Sequence, residues 1–232
     1  MQTEPSFHHF HVQHFCPVAQ TLERVGDRWS FLIVRDLMRG PQRFTDLQRY
    51  LAGITPKRLT VNLRALESEG MVEREREAGR REVWYRLTAK GKDFVPVIKA
   101  LAVWGLEYPM RAPLPGETVY PEHAMGVLGF SLNQRGLRLP QPVKWTVWFG
   151  ATSVFTISFD GEQWSVEPTD VPDADVRIET TPETWAAFLY SPKEERQRLL
   201  EAMRIRGEQS RVNELLAITW IEKQPSDLEI SS

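Results

Sequence analysis

Four prolines, Pro109, Pro113, Pro115 and Pro121, fall within thirteen residues, with Gly116 among them. Each proline removes a backbone donor and fixes φ, so neither a helix nor a central strand can run through this segment. The 232-residue chain is therefore divided here, and residues 109–119 are read as a linker. The two sides differ in pattern and in sign. Residues 1–110 carry 17 Lys and Arg against 13 Asp and Glu, net +4, whereas the remainder carries 12 against 18, net −6. A basic half suggests an anionic partner.

Composition excludes several classes. Apolar residues at 41% and charged residues at 26% are globular values, unlike those of disordered, collagenous or coiled-coil chains. Residues 1–15 contain no Lys or Arg and no apolar core of a signal peptide, and no eighteen apolar residues run together. Secretion and membrane spanning are disfavoured, and a cytoplasmic protein is expected. One cysteine, Cys16, closes no intrachain disulfide, which fits a reducing compartment.

Before the linker the period is mainly helical. Trp29, Leu32, Ile33 and Leu37 recur at three and four residues until Gly40-Pro41 stops the helix. Thr45 is read as the cap of a short helix ending near Leu51, and Thr55-Pro56 as the start of a third that runs to Glu69 and stops at Gly70. Met71–Glu75 and Glu82–Leu87 read as a charged hairpin around Ala78-Gly79, and Thr88–Glu107 as a final helix.

At 100° per residue, Leu59, Leu63 and Leu66 make the core stripe of the third helix. Its opposite face carries Lys57, Arg58, Val61, Arg64, Ala65 and Ser68, with Glu67 and Glu69 toward the C-terminal end. That gradient suits insertion of the N-terminal half into a DNA groove. Arg and Lys pair with guanine O6 and N7, small Val61 and Ala65 permit approach to thymine methyls, Thr60 is a candidate phosphate contact, and Thr45 and Thr55 are further candidate DNA-binding residues. Arg76, Arg80 and Arg81 would make the hairpin a wing laid along the backbone.

The first domain resembles the HxlR-type winged-helix regulators. The resemblance is carried by Cys16-Pro17-Val18, Leu22, Gly26 to Trp29, Arg43 to Leu47, Ile54 to Leu59, Leu63 to Glu67, Gly70-Met71-Val72 and Tyr85 to Gly91. It implies a homodimer on two operator half-sites, with dimer contacts from the first and last helices of the domain. Two departures are visible: Asp27-Arg28 replaces the commoner Gly-Lys, and Asn62 stands where an Arg is frequent, at a position where the resemblance implies a phosphate contact.

Cys16 precedes Pro17 at the start of the first helix, where a helix N-terminus favours thiolate. It is either an oxidant or electrophile sensor, as in some HxlR-type proteins, or a small residue packed at a dimer contact. His8, His9, His11 and His14 lie nearby, and His11, His14 and Cys16 are metal-ligand types. Their spacing matches no standard finger, so they are read as a tail, and no metal and no cofactor is assigned.

After the linker, Phe155, Ile157 and Phe159 alternate with Val154, Thr156 and Ser158 up to Asp160-Gly161. Read as a two-residue hairpin loop, these residues pair Phe159 with Glu162, Ile157 with Trp164 and Phe155 with Val166. Ala174–Glu179 reads as a strand, Thr181-Pro182 caps a helix with Trp185, Phe188 and Leu189, and Ser191-Pro192 with Glu194 starts another. Met203–Arg206 is a short strand, and Val212, Leu215 and Leu216 mark the last helix. Five of eight tryptophans, Trp145, Trp148, Trp164, Trp185 and Trp220, lie in this half.

This half resembles the sterol carrier protein type-2-like fold at Asp160-Gly161, Ala174-Asp175-Val176, Thr181 to Leu189 and Met203 to Glu208. The resemblance implies an apolar tunnel between sheet and helices. Candidate ligand contacts are Trp145, Phe155, Ile157, Phe159, Trp164, Trp185, Phe188, Leu189 and Met203, each of which also reads as plain core.

No Gly-rich phosphate loop, nucleophile elbow or metal-spaced motif is present, and His123 has no evident nucleophile beside it, so an enzyme is not expected. The expectation is an α+β chain. A winged helix-turn-helix domain (1–108) is followed, after the linker, by an α/β sterol-carrier-like domain (120–223) and a polar tail (224–232). Its expected partners are double-stranded DNA, a second copy of itself and an apolar effector, with no membrane. The alternative function is a hydrophobic-ligand carrier that uses the winged helix for assembly only. A pure assembly helix has no reason to present Lys57, Arg58 and Arg64 together.

Overall fold

The computed structural model describes residues 16–76, 82–107, 111–151, 153–191 and 193–219. The chain divides into two compact units, Met1–Leu101 and Ala102–Ser232. Within the described residues no helix is long and apolar enough to cross a membrane.

The first unit begins with α1 (Pro17–Val25), which has Pro at its first position, and α2 (Arg28–Leu37), capped by the Asp27 carboxylate accepting from Trp29 N at 2.9 Å. Strand β1 (Gln42–Arg43) leads into α3 (Phe44–Tyr50). The cap of α3 is Arg43, whose N–H donates to Asp46 Oδ2 at 3.3 Å, so Thr45 lies inside the first turn and is not its cap. Helix α4 (Pro56–Ser68) starts as expected, with the Thr55 hydroxyl accepting from Arg58 N at 3.2 Å. It ends at Gly70, where φ of 67° allows Met71 N to reach back to Leu66 O at 2.9 Å, the 6→1 bond of a glycine C-cap.

The hairpin is β2 (Val72–Arg76) and β3 (Val83–Leu87), and β1 adds to it in the order β1-β3-β2. The single helix expected over 88–107 is two, α5 (Ala89–Asp93) and α6 (Val95–Glu107). Gly91 makes the close fit of α5 possible, because a Cβ there would lie 2.1 Å from the Met71 carbonyl oxygen. Ile33, Val34 and Leu37 of α2, Leu47 and Leu51 around α3, and Leu59, Leu63 and Leu66 of α4 close one core with Val72, Leu87 and Ile98.

After α6, which runs across the division at residue 101, an ordered turn follows at residues 111–117. Arg111 holds both carboxylate oxygens of Glu117 (2.7 and 2.8 Å), and Leu114 N donates to the same group. The hydrogen bonds from Arg111 and Leu114 bring the Glu117 carboxyl down to about 2. Then come α7 (Pro121–Gln134), β4 (Val143–Phe149), β5 (Ser153–Phe159), β6 (Trp164–Glu167), β7 (Val176–Thr180), α8 (Pro182–Tyr190), α9 (Lys193–Glu201), β8 (Arg204–Gly207) and α10 (Gln209–Thr219). The strands form one sheet in the order β6-β5-β4-β7-β8, parallel only between β4 and β7. One sheet face carries Trp145, Val147, Ile157, Phe159, Val176 and Ile178, packed with Met125, Leu132, Trp185, Phe188 and Leu215 from the helices. On the other, Thr146 and Thr156 are buried with hydroxyls 3.3 Å apart, and Thr156 donates to Thr169 O at 2.7 Å.

The β5–β6 register differs from the expected one. Phe159 pairs with Trp164 and Ile157 with Val166. The Asp160 carboxylate accepts from Glu162 N (2.8 Å) and Gln163 N (2.7 Å), which widens the turn to four residues, 160–163. The shift is by two positions, so the large apolar side chains keep the same face.

Strand β6 is a sheet edge, and Asn133 of α7 occupies its outer side. Asn133 Nδ2 donates to Trp164 O (2.7 Å), and Trp164 N donates to Asn133 Oδ1 (2.8 Å), so one amide continues the ladder. The Trp164 indole donates to Leu137 O at 2.8 Å. Replacing Asn133 by Leu leaves both backbone groups unpaired and should lower stability by about 2 kcal/mol. Urea unfolding followed by tryptophan emission would measure this, and an unchanged midpoint would contradict the role given to Asn133.

Candidate nucleic-acid interface

Helix α4 buries Leu59, Asn62, Leu63 and Leu66, which turns the stripe Lys57, Thr60, Val61, Arg64 and Ser68 outward. Lys57 and Arg64 are exposed and have no ion pair among the described residues. Val61 is half-buried, and the Thr60 hydroxyl donates to Pro56 O at 2.9 Å. Thr55 is exposed and its hydroxyl caps α4. Thr45 is exposed on α3.

The wing separates its charges by face, because side chains alternate along a strand and directly paired residues share a side. Glu73, Glu75, Trp84 and Arg86 share one face, and Arg86 Nε bridges Glu73 (3.1 Å) and Glu75 (3.3 Å). That side keeps a net negative charge. Arg43 stacks over the Trp84 ring at 4.7 Å and pairs with Glu82. The other face carries the buried Val72 and Leu87 with Tyr85, Arg74 and Arg76, and is the face that packs toward α4. Burial raises the Tyr85 hydroxyl above its usual range. The charges of Arg74 and Arg64 oppose that rise and that of Glu67 adds to it. Arg74 was not among the residues expected from sequence. The Glu-Arg-Glu-Arg alternation of residues 73–76 carried the signal, since with period two Arg74 must share a face with Arg76. Arg80 and Arg81 lie outside the described residues.

Arg58 sits differently from Lys57 and Arg64. Its guanidinium is ion-paired with Asp27, with 42% of the side chain exposed. Asn62, four residues on, is fully buried and donates through Nδ2 to Asp27 Oδ1 at 2.5 Å and to Ser30 Oγ at 3.4 Å. Burial pushes the Asp27 carboxyl up, but the hydrogen bonds from Asn62, Arg58 and Trp29 N together hold it below its ordinary value. The two sequence departures, Asp27 and Asn62, are thus one contact.

Cys16 occupies the cap position of α1, partly exposed and with no side-chain cap bond. His8, His9, His11 and His14 lie outside the described residues. Beyond the core, α1 exposes Val18 and Leu22, and α6 exposes Val97, Leu101 and Trp104 at spacings of four and three. In the second unit all nine candidate ligand residues are buried in one cluster. Trp145 and Trp185 are fully buried, and their indole N–H groups have no hydrogen-bond partner among the described residues. Trp220 lies outside those residues.

The family model for the HxlR-like helix-turn-helix matches residues 24–113. A protein of Methanothermobacter thermautotrophicus, described as an uncharacterised HTH-type transcriptional regulator, is 36% identical over 107 residues, 45% of this chain and 81% of its own length. This chain belongs to the HxlR-like helix-turn-helix family. YdeP of Bacillus subtilis, described in the same way, is 35% identical over 41% of this chain and 76% of its own. Among solved structures, the reduced form of the redox regulator HypR is 33% identical over 39% of this chain and 90% of its own, with a TM-score of 0.37. The family match covers α2, the α3–α4 pair, the wing and α6, and the second unit from α7 onward lies beyond it.

Proposed function

We propose that this chain is a transcriptional regulator that binds operator DNA as a homodimer, with α4 in the major groove and the wing along the backbone. The observation that carries this reading is a set of cations with no ion pair among the described residues: Lys57 and Arg64 outward on α4, with Arg74 and Arg76 on the face of the wing turned toward it. An assembly helix would have its cations paired or dispersed. Its relatives described as HTH-type transcriptional regulators support the same reading. Lys57, Val61 and Arg64 face the base edges, while Thr45, Thr55, Thr60, Arg74, Arg76, Arg80 and Arg81 serve phosphates.

Loss of Arg64 to Ala should weaken operator binding by about 1–3 kcal/mol and relax base preference. Loss of Arg76 to Ala should weaken operator and random duplex alike and flatten the salt dependence, by about 0.9 in log–log slope for one phosphate. Fluorescence anisotropy on both duplexes separates the two, and equal losses on both for both variants would refute the division of roles.

Val18 and Leu22 on α1 and Val97 and Leu101 on α6 are exposed apolar side chains of the first unit, and they form the proposed dimer contact. Leu101→Glu should shift sedimentation to a monomer and reduce binding to a single half-site. A Leu101→Glu variant that remains dimeric removes α6 from the interface.

Two inputs are assigned: oxidation at Cys16 and an apolar effector in the second unit. The second rests on the sterol-carrier-like pattern and on the unpartnered Trp145 and Trp185 N–H groups, which fit a ligand carrying a hydrogen-bond acceptor. Operator affinity of the full chain reads both. Oxidant should weaken binding in the wild type and not in Cys16→Ser, and a bound fatty acid, sterol or aromatic hydrophobe should change affinity together with tryptophan emission. An input that leaves operator affinity unchanged is struck from the mechanism.

A further inference from the structure

The Asp27 carboxylate receives three donors from two directions: Trp29 N at the start of α2, and Asn62 Nδ2 and the Arg58 guanidinium from α4. Arg58 and Asn62 are one helical turn apart, so they reach the same carboxylate from one side of α4. Asn62 is fully buried, whereas Arg58 lies at the boundary between the α2–α4 contact and solvent. Arg58 is thus on the rim of the surface assigned to DNA, with its charge compensated inside the protein.

We infer that Asp27 is a specificity-determining positioning residue that withholds Arg58 from the DNA backbone, so that discrimination rests on Lys57, Val61 and Arg64. This inference rests on the DNA-binding reading above. A phosphate that recruits Arg58 must displace a hydrogen-bonded carboxylate and leave it uncompensated near a polyanion, where like-charge repulsion opposes the exchange. Sequence-independent affinity comes from counterion release, and one cation held at Asp27 contributes nothing to that release. The base-reading side chains gain weight relative to the backbone term without any new contact to DNA. Asp27 also keeps α4 in register with α2 through Asn62, so its action is through the helix and not on the nucleic acid.

The test uses the full-length chain and fluorescence anisotropy on an operator and on a random duplex across a salt series, with thermal melting as the check on folding. Asp27→Asn keeps a good capping side chain on α2 and removes the charge, and Asp27→Ser serves as a second capping variant should the first lose structure. Either should raise random-duplex affinity several-fold, steepen the log–log salt slope by about 0.9 and lower the operator-to-random ratio. In an Arg58→Met background the same change at Asp27 should move neither slope nor ratio, because the cation it frees is gone. A wild-type slope in the folded Asp27 variants overturns the inference. So does an equal steepening in the Arg58→Met background, which would assign the effect to the lost carboxylate alone. A wild-type chain with no salt-dependent DNA binding overturns the DNA-binding reading itself, an outcome distinct from either.

Discussion

The packing of α4 against α2 is the contact on which the first unit depends. Leu59, Leu63 and Leu66 lose their exposure against a core that includes Ile33, Val34 and Leu37, and each fully buried leucine contributes about 1.5–3 kcal/mol by transfer from water. With that stripe fixed, rotation of α4 is no longer free. Lys57, Val61 and Arg64 must point outward, and the cap at Thr55 sets where the first turn begins. The outward basic face of α4 is a consequence of the core contact.

Electrostatics then refine what packing has placed. Asp27 is a helix cap, a partner for a buried amide and a counter-charge for one arginine at once. Asp36, fully buried on α2, is bonded by Arg35 and Arg39, and Arg39 lies over the Tyr50 ring at the end of α3. The same sharing appears in the wing, where Arg86 bridges Glu73 and Glu75 on one face while Arg74 and Arg76, on the other, have no ion pair among the described residues. A strand whose residues alternate in sign is close to neutral in sum and polar across its thickness.

The second unit solves a different problem, since an open sheet must cover both faces and both edges. Aromatic and branched residues fill the helix-covered face, buried threonines bond across the other, and the Asn133 amide closes the β6 edge. The indole N–H groups of Trp145 and Trp185 depart from this pattern of satisfied polar groups. Trp164, on the same face, finds the Leu137 carbonyl.

Much of this was legible in the sequence, because local rules act over one or two turns of chain. The caps at Thr55 and Thr181, the stop at Gly70, the core stripe of α4 and the hairpin strands follow from residue type and period alone. What failed was also local in origin. Thr45 yielded the α3 cap to Arg43 with Asp46, and Asp160 widened a two-residue turn to four, each through a side-chain bond to a nearby backbone N–H that competed with the simpler pattern. Helix α7 lacked a clear periodic signal, and strand β4 was not read from the sequence although Val143, Trp145, Val147 and Phe149 alternate along it. Their character comes from burial against β6 and between two other strands. The composition of α4 identified a basic face but could not distinguish Arg58 from Lys57 and Arg64. Only tertiary structure makes that distinction, because Asp27 lies thirty-one residues away in sequence and meets Arg58 only when α2 and α4 pack.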